Sequence, residues 1–168
     1  LDSDSYLWHL FYQWFGNFLP SHPELSVRKQ SIKNITQTDL LGIEAVIHLA
    51  NVANDPSVEL NPTFSWEVNV LHTTQFLELC KRSKSVKKFM FASSGSVYGV
   101  KSESNVTEEL SLVPISAYNK TKMSAERVCL SYNEYFEVIC VRPATVCGVS
   151  PRMRFDIVVN MFVLQAFA

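Results

Sequence analysis

The sequence predicts an α/β protein built on a parallel sheet with flanking helices, and three observations carry that expectation. Three near-continuous apolar runs, EAVIHLAN (44–51), KKFMFASS (87–94) and FEVICVRPAT (136–145), are rich in β-branched or aromatic residues. Runs of this kind suit strands buried on both faces. Two stretches of helical period lie between them, so strand, helix and strand alternate along the chain. Alternation of this type means crossover units with right-handed connections, and hence parallel strands.

Taken from the N-terminus, residues 1–24 read as an irregular or partial start of the domain. Their run YLWHLFYQWFGNFL has 14 residues, too few to span a bilayer, and no basic lead-in of a secretory signal. LSVRKQSI (25–32) reads as a weak strand followed by a short helical turn ending near Gly42. After the first apolar run, PTFSWEVNVLHTTQFLELCKRS (62–83) places Trp66, Val70, Thr73, Leu77 and Cys80 at helical spacing. The cluster KRSKSVKK (81–88) reads as a solvated turn between that helix and the second strand. AYNKTKMSAERVCLSYNEYF (117–136) repeats the helical pattern through Ala125, Val128, Cys129 and Tyr132. The core is expected over 25–150, with 151–168 leading out of it.

Composition narrows the function classes. The chain has 168 residues, 47% hydrophobic and 18% charged, with a formal net charge of −1, which suits one globular domain. No basic stripe marks a nucleic-acid footprint, and a membrane partner is not expected. Cys80, Cys129, Cys140 and Cys147 form no C-x-x-C and have no histidine at metal spacing. The expectation is therefore free thiols in a reducing compartment, a cytoplasmic location and no metal.

In an open parallel sheet every strand ends at the same edge, and ligands bind there. Small hydrogen-bonding residues gather at each predicted strand exit: Asn51 and Asn54, then Ser93, Ser94, Gly95 and Ser96, then Thr145 before Gly148. The stretch SAYNKTK (116–122) adds Tyr118 and Lys122, four apart. At 100° per residue Lys122 lies about 40° from Tyr118, on the face shared with Ala125 and Cys129, and Lys120 and Arg127 point the other way. A lysine on a packed face either snorkels past it or sits beside the phenol. In the second case its charge lowers a tyrosine pKa from about 10 towards neutrality, which makes the tyrosinate a usable general base.

The motifs VIHLAN, WEVNVLHTTQFLE, FASSGSVYG, SAYNKTKMSAE and VRPATVCG, in this order, resemble the extended branch of the short-chain dehydrogenase/reductase superfamily, and most closely its NAD-dependent epimerases and dehydratases of nucleotide sugars. The resemblance runs from about residue 25 to 160. It implies a Rossmann-type sheet, NAD as cofactor, a nucleotide-sugar substrate and, as family members often pair, a homodimer. By the same resemblance Tyr118 removes the proton of a sugar hydroxyl as hydride leaves the carbon, Lys122 binds the nicotinamide ribose, and Ser94 hydrogen-bonds the reacting oxygen. Leu49, Ala50, Asn51 and Ser93, with Pro143 to Val146, would line the cofactor. Ser96 and Thr145 would face the sugar. Asn69, on its helix's inward stripe, reads as structural, ordering the cofactor site. The 4,6-dehydratases of the family carry an acidic pair directly after the catalytic hydroxyl, where this chain has Gly95 and Ser96. Epimerisation or simple oxidoreduction is therefore favoured over elimination of water.

The chain also departs from the pattern. Its five glycines include no G-x-x-G-x-x-G, the loop whose bare backbone approaches the cofactor pyrophosphate. The acid expected on the adenosine ribose has no counterpart beyond the badly placed Asp2 and Asp4, and Ser31 stands where the family has an acid near the adenine. The first glycine-loop βα unit and the C-terminal substrate domain are thus expected to be missing, and NAD binding by the chain alone to be weak or undetectable. Two readings stay open: part of a nucleotide-sugar epimerase, or a non-catalytic Rossmann-like binding or regulatory module.

Overall fold

The computed structural model describes residues 26, 28, 30–149 and 153–167. They fall into two compact units, one of Ile32–Ala144 and one of the described parts of Leu1–Ser31 and Thr145–Ala168. The apolar N-terminal run lies outside the described residues, as do Leu25, Val27 and Lys29 of the weak strand expected at 25–32; residues 26, 28, 30 and 31 are in no strand and Ile32 opens a 3₁₀ turn, which corrects that expectation.

The larger unit opens with two 3₁₀ turns, Ile32–Asn34 and Gln37–Leu40, the second held by Asp39, whose carboxylate accepts the Thr36 backbone N–H at 2.9 Å. Strand β1 follows (Ala45–His48), then α1 (Asp55–Leu60) and α2 (Pro62–Trp66). Both short helices start at an asparagine near a proline. Asn54 Oδ1 accepts from Ser57 N and Asn61 Oδ1 from Phe64 N, each at 3.0 Å, which satisfies orphan N–H groups at positions where proline needs no donor. The helical backbone expected over 62–83 continues through a π turn at Glu67–His72 into α3 (Thr73–Ser83). Then come β2 (Lys88–Ala92), a 3₁₀ turn at Gly95–Tyr98, α4 (Ala117–Leu130) and β3 (Glu137–Val141).

The sheet is parallel throughout in the order β1-β2-β3, with Phe89 opposite Val46 on one side and Val138 on the other. Alternation along β2 sends Phe89 and Phe91 to one face, where both are fully buried against Leu77 and Cys80 of α3, Ala125 and Cys129 of α4, and Phe136. Here the structure corrects the expectation of strands buried on both faces. On the opposite face Ile47 is 64% exposed and Leu49 69%, with Ile139 and Val141 also exposed. The reason is topological. Successive right-handed crossovers between strands added in one direction put α3 and α4 on the same side, so one face is covered twice and the other is left open.

In the second unit α5 (Val158–Phe167) presents Val159, Phe162, Val163 and Phe167 to solvent. Its one buried residue, Asn160, accepts the Gly148 N–H at 3.1 Å and donates to the Arg154 carbonyl at 2.9 Å. No helix among the described residues is long and apolar enough to cross a membrane.

Candidate active site

Two strand exits are built by hydrogen bonds that outlast the strands. Beyond β2, Ser93 N–H donates to Val141 O and Gly95 N–H to Pro143 O, each at 2.8 Å. A Cβ on Gly95 would come within 3.1 Å of that same carbonyl, so the approach leaves little room for a side chain. The turn ends on Gly99, whose φ of +70° and closeness to the Val113 carbonyl (2.2 Å from a Cβ built there) demand glycine. Beyond β1, Asn69 holds the loop. Its Oδ1 accepts from Val52 N at 2.7 Å, and its Nδ2 donates to Val52 O and to Thr121 Oγ1 at 3.0 Å. Asn69 is fully buried inside the π turn, a local rewinding often found at functional positions. Its polar atoms therefore grip the loop after β1 against α4.

These scaffolds place the serines. Ser94 caps the 3₁₀ turn, its Oγ accepting from Ser96 N at 3.3 Å. The Ser94 and Ser96 hydroxyls are 2.7 Å apart, and Ser96 Oγ donates to Asn119 Oδ1. Ser94 is thereby linked through two hydrogen bonds to the residue after Tyr118. Ser93 is buried, and its hydroxyl has no partner among the described residues. Asn51, at the neighbouring exit, likewise has a buried Oδ1 without a partner.

Helix α4 starts where Ser116 Oγ accepts the Asn119 N–H at 3.2 Å, an N-cap that puts Tyr118 in the first turn. Tyr118 is half-buried and Lys122 only 4% exposed. The Lys122 ammonium donates to the Ala92 carbonyl at 2.7 Å and lies 5.0 Å from the Phe91 ring centroid and 5.9 Å from that of Tyr118. Lys120 and Arg127 are exposed, as the helical geometry requires. The structure thus brings Ser94, Ser96, Tyr118 and Lys122 together at the C-terminal edge of the sheet.

Burial lowers the Lys122 pKa to about 8. The unfolded chain holds that proton up to about 10.5, so between pH 8 and 10.5 the unfolded state binds more protons and stability rises with pH. From pH 7 to 9 we expect a gain of about 1 kcal/mol relative to Lys122→Met, read from urea unfolding at both pH values. Equal slopes for the two proteins would show that the ammonium is not desolvated.

On the open face, where the strands end, Leu49, Met90, Ala92, Val141 and Pro143 line an apolar depression of about 210 Å³. Ala50 is half-buried beside it in sequence. Thr145 and Val146, both exposed, belong to the second unit. Among the described residues no group of histidine, cysteine, aspartate or glutamate could hold a metal ion. All four cysteines are free; burial pushes the Cys80 and Cys140 thiols up to about 12, and thiols so perturbed are inert.

Sequence reasoning passed over Asn119 and Thr121, both buried on α4. They flank the stripe through Tyr118, Lys122 and Ala125. Two polar residues beside a packed stripe are the available signal, because a buried amide or hydroxyl implies a partner.

Comparison with known proteins adds an independent line. A family model described as NAD dependent epimerase/dehydratase family matches residues 24–166. An uncharacterised UDP-glucose epimerase of Bacillus subtilis is 31% identical over 152 residues, covering 89% of this chain and 47% of that protein. The crystal structure of UDP-glucuronic acid 4-epimerase from Bacillus cereus in complex with NAD is 33% identical, with a TM-score of 0.66 over 82% of this chain and 43% of the other. In fold alone, a UDP-N-acetylglucosamine 4-epimerase from Methanobrevibacter ruminantium superposes with a TM-score of 0.76 over 88% of this chain and 49% of its own. The chain spans about half the length of these relatives.

Proposed function

The chain belongs to the NAD dependent epimerase/dehydratase family, and from that premise we propose that it supplies the reactive centre of a nucleotide-sugar epimerase. The observation that carries this reading is the Lys122 ammonium, buried and 5.9 Å from the Tyr118 ring, beside a turn whose Ser94 hydroxyl is tied to Asn119.

Two features of the site fit NAD. Ser93 Oγ and Asn51 Oδ1 are buried polar atoms without partners among the described residues, at adjacent strand exits, and such atoms call for a ligand or water. The apolar depression lined by Leu49, Met90, Ala92, Val141 and Pro143 offers a surface for a flat ring. Leu49, Ala50, Asn51, Ser93, Lys122 and Pro143 would hold the cofactor, with Asn69 acting through the loop it grips. When bound, NAD supplies a hydride acceptor and donor. Tyr118, as tyrosinate, takes the proton of the sugar hydroxyl at the carbon being oxidised, and Lys122 stabilises that anion. Ser94 hydrogen-bonds the same oxygen, with Ser96 on the substrate side. Neither Gly95 nor Ser96 carries an acid that would expel water from a keto sugar, which favours epimerisation over dehydration.

Calorimetric titration of NAD into the protein, followed by epimer analysis with UDP-glucose and UDP-glucuronic acid, tests the proposal. We expect weak NAD binding that Lys122→Ala abolishes, and conversion of one sugar to its 4-epimer. Absence of both would leave the non-catalytic module.

A further inference from the structure

Glu126 is a carboxylate 1% exposed on α4, and the proposed chemistry makes no use of it. Its oxygens receive Arg142, the residue after β3, with Nε at 3.1 Å from both and Nη2 on Oε1. The same guanidinium donates through Nη1 to the Tyr98 hydroxyl at 2.7 Å and to the Glu108 carbonyl at 3.4 Å. It also lies 5.0 Å from the Tyr98 ring centroid. One planar cation therefore ties four segments of the chain together.

Three of those segments carry the site. Tyr98 closes the 3₁₀ turn that Ser94 caps. Glu126 sits about two helical turns after Tyr118 on α4. Pro143, whose carbonyl receives Gly95 N–H, is the neighbour of Arg142. The forked geometry of arginine suits this task, since lysine cannot bond a carboxylate bidentately and a phenol at the same time.

We propose that Arg142, with Glu126 and Tyr98, is a positioning centre that sets the spacing between Ser94 and Tyr118. The proposal rests on the reading of that pair as the reacting hydroxyls. A bridge serving stability alone behaves differently from a positioning one. Replacing a whole buried ion pair by apolar residues of similar volume is often neutral for stability, and it removes the geometry.

The test uses the full-length protein carrying Glu126→Leu with Arg142→Met, alongside Tyr98→Phe, Arg142→Lys and Ser94→Ala. Turnover of UDP-glucose with NAD and amide hydrogen exchange at Gly95, Phe89 and Phe91 are measured. We expect the double variant to keep its melting temperature while kcat falls about 10- to 100-fold at unchanged KM, the size of loss a small misplacement causes. Tyr98→Phe should lower kcat several-fold, and Arg142→Lys should not restore it. Gly95 exchange should quicken about 10-fold with Phe89 and Phe91 unchanged. A double variant with wild-type kcat, or one whose Gly95 exchange is unaltered, overturns the proposal. If Ser94→Ala leaves kcat intact while Gly95 exchange responds, the role of the centre in placing the turn stands and the reading of Ser94 falls.

Discussion

Tyr118→Phe should lower epimerase turnover by about 100- to 10,000-fold, the usual contribution of a positioned general base. The substitution keeps the ring that packs near the Lys122 ammonium (5.9 Å to the centroid) and deletes only the hydroxyl. Stability should therefore change by no more than about 1 kcal/mol, the net worth of an ordinary hydrogen bond. A second signature separates a base from a mere packing group. Lys122 is held cationic at neutral pH in a buried setting, with its own pKa lowered to about 8 by desolvation. In the proposed mechanism its charge stabilises the neighbouring tyrosinate. Lys122→Met should thus move the acidic limb of the kcat profile to higher pH as well as weaken NAD binding, whereas Tyr118→Phe should remove that limb. Retention of more than a tenth of the wild-type kcat by Tyr118→Phe would rule the phenol out as the base.

Acid should weaken the fold through His48. This residue is 3% exposed on β1, its Nε2 within 2.9 Å of Thr73 Oγ1 and its ring packed among Phe76, Phe89 and Phe91. Burial, helped by the charge on Lys122, lowers its pKa to about 4. Above about pH 6.5 the histidine is neutral in both states, and its contribution to stability is complete. Below that, the unfolded chain takes up a proton the folded one refuses, so stability falls between pH 6.5 and 4 and then levels off. The loss amounts to about 3 kcal/mol, or roughly 10 °C in melting temperature for a chain of this size. Carboxylates titrate in part of this window, so the quantity to measure is the difference between wild type and His48→Gln at pH 7 and 4.5. Parallel slopes would mean that the imidazole takes up its proton within the fold.

His48 also illustrates where sequence reasoning stopped. The run VIHLAN reads as a strand whichever way its side chains point. Whether its histidine meets water, a ligand or three phenylalanine rings depends on which face α3 and α4 cover. The same holds for the apolar runs themselves, which read as buried on both faces while Ile47 and Leu49 stand exposed. Hydrophobicity records the capacity to be buried, and the layer that would do the burying lies elsewhere along the chain or outside it. That Tyr118 and Lys122 share one face of α4 was legible in helical phase, and Ser94 was singled out by the ordered motifs alone. Asn119, Thr121, Glu126 and Arg142 were not. Their significance lies in partners 16 to 52 residues away, and separation in sequence carries no trace of such pairings.

What the sequence determined by itself was periodic or local. Alternating apolar runs and helical stripes required parallel crossover units, and the i, i+4 spacing put Tyr118 and Lys122 on one face of one helix. These follow from backbone geometry over a few residues, which every chain obeys. Tertiary structure alone decided which sheet face was covered, and that Lys122 would dock on the Ala92 carbonyl at 2.7 Å. It also decided that one arginine would fasten the Ser94 turn to the Tyr118 helix. Such outcomes depend on burial, since the low dielectric of a packed interior makes an ammonium, an imidazole or a carboxylate seek whatever partner the fold brings within reach.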